Sequence, residues 1–361
     1  MSGLAIARRG DLVSIAASSA AGPGTRARYG RRAGSDGEVG VSRVFEHRSV
    51  MVQEVVDLMR PVPSGIVVDA TLGAGGHSAA LLDAHAHLRV LGIDRDPDAL
   101  RAARSRLAPF GLRASVVKGR FDSLGDLAVS AGIPPGACSG VLLDLGVSSP
   151  QLDTAARGFS YRYDAPLDMR MDPGSGGPTA ADLVNSMPEG DLVRLFAANG
   201  EGRFARRLAR AVVAARPLLT TGDLTNAVRS GLPAAVRRQG GHPSRRVFQA
   251  LRIAVNEELE QLSRVLPEAI SITGPGGRIV VISYHSGEDR IVKAAFGSAV
   301  TGGCTCPPGL PCGCGAEPAG RLVFRGARRP SSEEIELNPR AESARLRALE
   351  ILPAAFRSEE R

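Results

Sequence analysis

Ile66-Val67-Val68-Asp69-Ala70-Thr71-Leu72-Gly73-Ala74-Gly75-Gly76-His77 decides how the rest of this chain is read. A short β-branched run ends on an aspartate, crosses three glycines in four positions and enters an alanine-rich stretch at Ser78. That order predicts a strand, a tight turn and the start of a helix. Glycine lets a ligand lie against the backbone where a side chain would block it. The first N–H groups of the following helix have no partner within it and face the turn. The stretch therefore predicts a nucleotide-type cofactor site at the carboxyl edge of a first parallel strand.

Outward from this stretch the same rhythm repeats. Val52, Val55, Val56 and Met59 share one helical face, which Pro61 ends. A second strand is predicted over Arg89–Asp94, and Pro97 suits the first position of a helix running to Leu107. A third strand fits Ala114–Val117, a helix Ser123–Ser130, and a fourth strand Val141–Asp144. Strands alternating with helices at this spacing predict an α/β fold with a doubly wound parallel sheet.

The rhythm breaks after Asp144. Residues 151–250 show helical patterns and no convincing buried strand. In the clearest, Arg203–Arg216, one face is Phe204, Leu208, Ala211, Val212 and Ala215, and another is Arg203, Arg206, Arg207 and Arg210. A second helix is predicted from Arg245 to Leu266, with Pro267 marking its kink or end, and the sheet resumes at Arg278–Ser283. The expected organisation is a disordered basic tail over 1–40, an α/β domain over 41–150 and 265–361, and a helical insertion over 151–264. The insertion falls between strands four and five and is expected to recognise substrate.

Lys and Arg number 45 against 37 Asp and Glu, a net charge of +8 that favours an anionic partner such as nucleic acid. Lys118 and Lys293 are the only lysines. Arginine suits bidentate phosphate contacts, although a GC-rich genome would produce the same bias. Arg203, Arg207, Arg237, Arg238, Arg245 and Arg246 form the candidate RNA-binding face, with a solvated helix face as the alternative for each. No run of about 18 uncharged apolar residues exists, so no transmembrane helix is predicted. The amino end lacks an apolar signal core, and the cytoplasm is the expected location. Of five cysteines, Cys138 stands alone, while Cys304, Cys306, Cys312 and Cys314 form a CxC, five-residue gap, CxC pattern. Four thiolates there could hold zinc, but the spacing is not a common zinc-ribbon one. No metal is assigned, and a redox-labile or inert loop is the alternative.

Asp94 ends strand two, 25 positions after Asp69, where an acidic residue accepts hydrogen bonds from ribose hydroxyls. That position serves NAD enzymes and S-adenosylmethionine enzymes alike. A dinucleotide fingerprint wants Gly or Ala three positions after Gly75, and Ser78 is there. The form Asp69-x-x-x-Gly73-x-Gly75 is closer to the first motif of methyltransferases. The turn alone leaves both readings open. After strand four comes Asp144-Leu145-Gly146-Val147-Ser148-Ser149-Pro150-Gln151. Amino-group methyltransferases place a polar residue and a proline-containing turn at this point. A ring-conjugated amine is a poor nucleophile, so orienting it is the main catalytic demand. Tyr284-His285-Ser286-Gly287-Glu288-Asp289-Arg290 follows strand five and faces the same edge. His285 could accept a proton after transfer, or Tyr284 could stack on the base; equally, Glu288, Asp289 and Arg290 could form a structural ion-pair network. His285 is read as a substrate-pocket residue with no base role assigned.

With these strings in view, the chain resembles the bacterial 16S ribosomal RNA cytosine-N4-methyltransferase family, which acts on cytosine 1402 in the decoding centre. The resemblance rests on Gly73–Ser78, Gly92–Asp98, Asp144–Asp153, Arg157–Ser160, Pro166–Asp172, Phe248–Asn256, His285–Lys293 and Asn338–Arg340, in order over most of the chain. It implies a class I (Rossmann-like) methyltransferase sheet and S-adenosylmethionine as methyl donor. It also implies 16S rRNA in the small ribosomal subunit as partner, and is compatible with a homodimer. Carried over residue by residue, the cofactor contacts are Gly75, Gly76, His77, Asp94, Phe121, Asp144 and Gln151. Asp144, Ser148, Ser149 and His285 are the expected catalytic pocket. This chain departs from the family's pattern at Arg48-Ser49-Val50, at Glu201-Gly202 and at Gly287. The competing readings are a DNA amino-methyltransferase and a non-enzymatic ribosome-assembly factor that binds the same cofactor.

Overall fold

The computed structural model describes residues 49–237, 244–307 and 313–353. The predicted tail over 1–40 lies outside them. In chain order the first half holds α1 (Val52–Met59), β1 (Gly65–Asp69), α2 (Gly76–Ala84), β2 (Leu88–Asp94), α3 (Pro97–Leu107), β3 (Ala114–Lys118), α4 (Leu124–Ser130) and β4 (Cys138–Asp144). Helical segments follow: α5 (Ser149–Asp153), α6 (Ala180–Ser186), α7 (Glu189–Phe196), α8 (Ala205–Ala214), α9 (Thr221–Gly231) and α10 (Ala234–Arg237). Then come α11 (Arg245–Asn256), α12 (Glu258–Ile272), β5 (Thr273–Ser283), α13 (Ser286–Thr301), β6 (Gly320–Leu322), α14 (Ser332–Leu337) and β7 (Arg345–Ile351). No helix among the described residues is long and apolar enough to cross a membrane.

The strands form one sheet in the order β3-β2-β1-β4-β5-β7-β6. β1 to β5 are mutually parallel, and β7 pairs antiparallel with both β5 and β6. Thus β7 alone runs against the rest. The order reverses between β1 and β4, and this switch point opens a crevice at the carboxyl edge where ligands bind in open α/β sheets. Both faces are covered. α4, α12 and α13 pack Leu124, Leu262, Leu266 and Phe296 on one side; Val55, Met59 and Leu81 from α1 and α2 pack on the other. Strands buried on both faces read as continuous apolar runs, as Val141-Leu142-Leu143 does.

The helices between β4 and β5 build a second core around Phe196, Leu208, Leu224, Val247 and Leu251. The helix predicted over Arg245–Leu266 is two helices. The break is at Glu257, whose φ of 52° lies in the left-handed region, and Pro267 sits inside α12, which continues to Ile272. Pro267 removes one backbone hydrogen bond, but Val265, Leu266 and Ala269 are fully packed and hold the helix through it. β4 and β5 begin earlier than predicted, at Cys138 and Thr273, because Gly140 and Gly274–Gly277 carry little strand propensity and are aligned by their neighbours. β6 and β7 were outside the predicted sheet.

Candidate active site

The β1–α2 turn adopts the expected conformation: Gly73 has φ 52° and Gly75 φ 76°, and Gly75 caps α2. A Cβ on Gly76 would meet the Ser49 hydroxyl at 2.1 Å, so that glycine lets the segment before α1 close over the helix start. Behind the turn, Asp69 is buried and accepts a hydrogen bond from Ser78 Oγ at 2.6 Å. Burial raises the Asp69 carboxyl from its ordinary 3.8 to about 6, against the lowering effects of Ser78 and His77. Asp69 therefore anchors the helix start rather than facing the crevice.

A cleft of about 520 Å³ opens at the switch point, within the range of roughly 300–1,000 Å³ typical of small-molecule sites. Gly73, Gly76, His77, Asp94, Phe121, Asp144, Ser148, Gln151 and His285 all line it. At one end, Asp94 accepts hydrogen bonds from the Gly73 N–H at 2.8 Å and the Asp96 N–H at 2.9 Å. Each carboxylate oxygen has a second lone pair for a ligand hydroxyl. Burial pushes the Asp94 carboxyl upward, offset in part by those two N–H groups. Phe121 packs against the core beneath α4 and also faces the cleft.

At the other end stands Asp144. Its N–H donates to Thr71 Oγ1 at 2.6 Å, which ties the end of β4 to the glycine turn. The Tyr284 hydroxyl donates to Asp144 Oδ1 at 2.8 Å. Burial and the neighbouring carboxylate raise the Tyr284 phenol well above its ordinary value, so it stays a neutral donor. The Tyr284 ring lies against Gly146, where a built Cβ would come within 3.3 Å. Through this hydroxyl Tyr284 positions the Asp144 carboxylate. The register sets Asp144 opposite Ile282, two residues before Tyr284. His77 is buried, and its Nε2 lies 2.8 Å from the Val50 carbonyl. A carbonyl only accepts, so Nε2 carries the proton and Nδ1 faces Asp144 Oδ2 at 3.6 Å.

The remaining predicted residues act mainly as braces. Gln151 Nε2 donates to Asp96 Oδ2 at 2.8 Å, and its Oε1 accepts from the Ser148 N–H at 3.0 Å. The Nε2 end therefore ties α5 to the N-cap of α3, and the Oε1 end closes α5's own capping box. The Ser149 side chain lies outside the described residues. His285 caps α13: its Nδ1 accepts from the N–H groups of Gly287 and Glu288 at 3.2 and 3.4 Å. Its Nε2 is 3.1 Å from Glu288 Oε1, close enough to pair electrostatically but not aligned as a hydrogen bond. Burial alone would raise Glu288; the close His285 ring, the Arg252 charge and the Tyr284 N–H outweigh it and hold the carboxyl below its ordinary value. His285 is thus built into a cap, and both ring nitrogens are oriented by it.

The Pro166–Asp172 string carries no role legible from its own residues. Asn256 explains it. Its Nδ2 donates to the Met169 carbonyl at 2.8 Å, and its Oδ1 accepts from the Met171 N–H and from Arg95, each at 2.9 Å. Arg157 pairs with Asp96 at 3.0 Å and donates to the Arg170 and Met171 carbonyls at 3.1 and 2.8 Å. These contacts lock the helical segment between β4 and β5 to the sheet edge that carries Asp94. No periodicity announces them, since each partner is remote in sequence.

The sequence profile of the MraW methylase family matches residues 44–352. The chain belongs to that family. A protein from Heliobacterium modesticaldum named ribosomal RNA small subunit methyltransferase H is 48% identical over 312 residues, 85% of this chain and 99% of that one. Its namesake from Thermobifida fusca is 51% identical over 311 residues, 84% and 93% of the two chains. A solved rRNA methylase from Streptococcus thermophilus is 12% identical with a TM-score of 0.38, over 83% of this chain and 95% of that one. The fold stands on the strand order itself, which is that of a class I methyltransferase.

S-adenosylmethionine, the donor such an enzyme uses, fits the cleft residues. Asp94 offers paired carboxylate oxygens for a diol, Phe121 an apolar wall, and the Gly73–Gly76 turn a backbone surface free of side chains. Of the candidate RNA contacts, Arg245 lines the cleft. Arg246 is exposed and lies 3.7 Å from Glu201. Arg203 and Arg207 are exposed on or beside α8 and do not line the cleft. The side chain of Arg237 and all of Arg238 lie outside the described residues.

Proposed function

We propose that this chain methylates the exocyclic N4 of cytosine 1402 in 16S rRNA, acting on the small ribosomal subunit. The observation that carries the proposal is the Thr71–Asp144–Tyr284 arrangement at the far end of a cleft whose near end holds Asp94. When bound, S-adenosylmethionine supplies a sulfonium methyl to an attacking lone pair. Asp94 would hold the ribose hydroxyls and Phe121 the adenine, which fixes the donor in the cleft. Asp144, fixed by Thr71 and Tyr284, would accept a hydrogen bond from the incoming amine. This turns the amine's lone pair toward the donor and removes the orientational part of the barrier. A carboxylate at that point also stabilises the positive charge that develops on nitrogen.

Arg245 and Arg340 line the same opening and would meet the phosphates flanking the target base. The helical segment from α5 to α11 is read as the substrate lobe, because the Asn256 and Arg157 braces fix it to the cofactor edge. In the test, the protein and labelled S-adenosylmethionine are incubated with small subunits from cells lacking the modification, with naked 16S rRNA, and with duplex DNA. The proposal expects transfer to the subunit and none to DNA. Binding of the subunit without transfer would favour an assembly factor instead.

A further inference from the structure

Beyond the cleft, the described residues contain one group of side chains arranged as metal ligands: Cys304, Cys306 and Cys314, whose sulfurs all lie within 4.8 Å of one another. We propose that these three thiolates bind a structural zinc ion in the loop between α13 and β6. Cys312 of the sequence pattern lies outside the described residues.

Zinc–sulfur bonds of about 2.3 Å around a tetrahedron set sulfur–sulfur edges of about 3.8 Å. The Cys304 and Cys314 sulfurs are 3.5 Å apart, near that edge and far longer than a disulfide bond of about 2.05 Å. The Cys306 N–H points at Cys304 Sγ at 3.4 Å, a contact that favours the thiolate form and orients a metal-bound sulfur.

The loop also needs a crosslink. α13 ends at Gly302, φ 60°, where a built Cβ would meet the Glu317 carbonyl oxygen at 2.4 Å. The Ala319 N–H donates to the Ala299 carbonyl at 2.8 Å, so the neck of the loop is closed. Of the described residues between that glycine and β6, none is a buried core residue, and only Ala319, next to β6, packs against the core. A closed loop without apolar burial offsets little of its ordering entropy, and a metal clip is one of the few devices that does.

The placement argues for a structural ion. α13 has 16 residues, roughly 24 Å of helix, and its other end carries His285 at the cleft. On binding, the three thiols release their protons to solvent and no electron transfer is required.

The test uses the full chain, expressed with added zinc and purified without chelator. Elemental analysis should find about one zinc per chain. Replacement by Co²⁺ should give a thiolate-to-cobalt charge-transfer band and intense visible bands of four-coordinate cobalt. Cys304→Ser and Cys314→Ser should lose the metal, while Cys138→Ser keeps it. Should a serine variant fail to fold, stripping and reloading the wild-type protein with Co²⁺ decides the matter alone. Metal-free protein that takes up no Co²⁺ overturns the proposal, as does a Cys304–Cys314 disulfide in anaerobically purified protein.

Discussion

Tyr284→Phe removes a single hydroxyl and leaves a ring of nearly the same volume against Gly146. Its effect is therefore a direct reading of what Asp144 needs. The lost bond is 2.8 Å long and joins a buried phenol to a carboxylate. Hydrogen bonds to charged groups contribute about 1.5–3 kcal/mol. If that energy serves to orient the carboxylate when the amine arrives, kcat/KM falls by roughly 10- to 150-fold. Cofactor affinity should change little, because Asp94 and Phe121 lie at the other end of the cleft. The assay pairs initial rates of methyl transfer to unmodified small subunits with calorimetric titration of S-adenosylmethionine. An unchanged rate would refute the positioning role. So would a rate loss that tracks an equal loss of cofactor affinity or of folded protein.

Three other perturbations probe the supports of the site. Gly158→Ala places a methyl group 2.4 Å from the Pro166 carbonyl oxygen and 2.7 Å from the Asp168 nitrogen, at a φ of 72°. Backbone blocks it on both sides, so denaturant unfolding should show a stability loss on the order of 3 kcal/mol or more; a loss under about 1 kcal/mol would contradict that packing. Asp69 gives a pH signature. Its folded-state carboxyl is raised from 3.8 to about 6, so folding holds its proton more tightly and stability declines as pH rises through that window. Asp69→Asn should remove that decline, on the order of 3 kcal/mol between pH 4 and 7, and an unchanged urea-midpoint profile would dismiss it. Glu288 and Asp289, held below their ordinary values, act with the opposite sign: their stabilisation is lost as pH falls below the carboxylate range. Arg245→Glu should weaken binding to the small subunit and reduce its salt slope by about one; Arg203→Glu, away from the cleft, should do less, and equal effects would move the RNA path.

Sequence carried the local parts of this molecule well. The turn from Asp69 to His77 is legible because its geometry depends on glycines placed within a few residues of each other. Asp94 and Asp144 could be set at the sheet edge from strand patterning alone. What escaped was non-local. Asn256 reaches Met169 across 87 positions and Tyr284 reaches Asp144 across 140, and no periodicity reports such contacts. Local signals also misled where packing overrode them. Pro267 reads as a helix end, yet the buried Leu266 and Ala269 carry α12 through it, and the true break is at Glu257. Gln151 and His285 line the cleft, and their hydrogen-bonding roles as brace and cap depend on partners that only the folded chain supplies.

The most direct test of the central claim is the chemical identity of the product nucleoside. Small subunits lacking the modification would be treated with this protein and S-adenosylmethionine, their 16S rRNA digested, and the methylated nucleoside fragmented in a mass spectrometer. The arrangement around Asp144 predicts a methyl group on the base, on the exocyclic nitrogen, at the single decoding-centre cytosine. A methyl group on ring carbon 5 or on the ribose, or no transfer by protein that binds the cofactor, would contradict it.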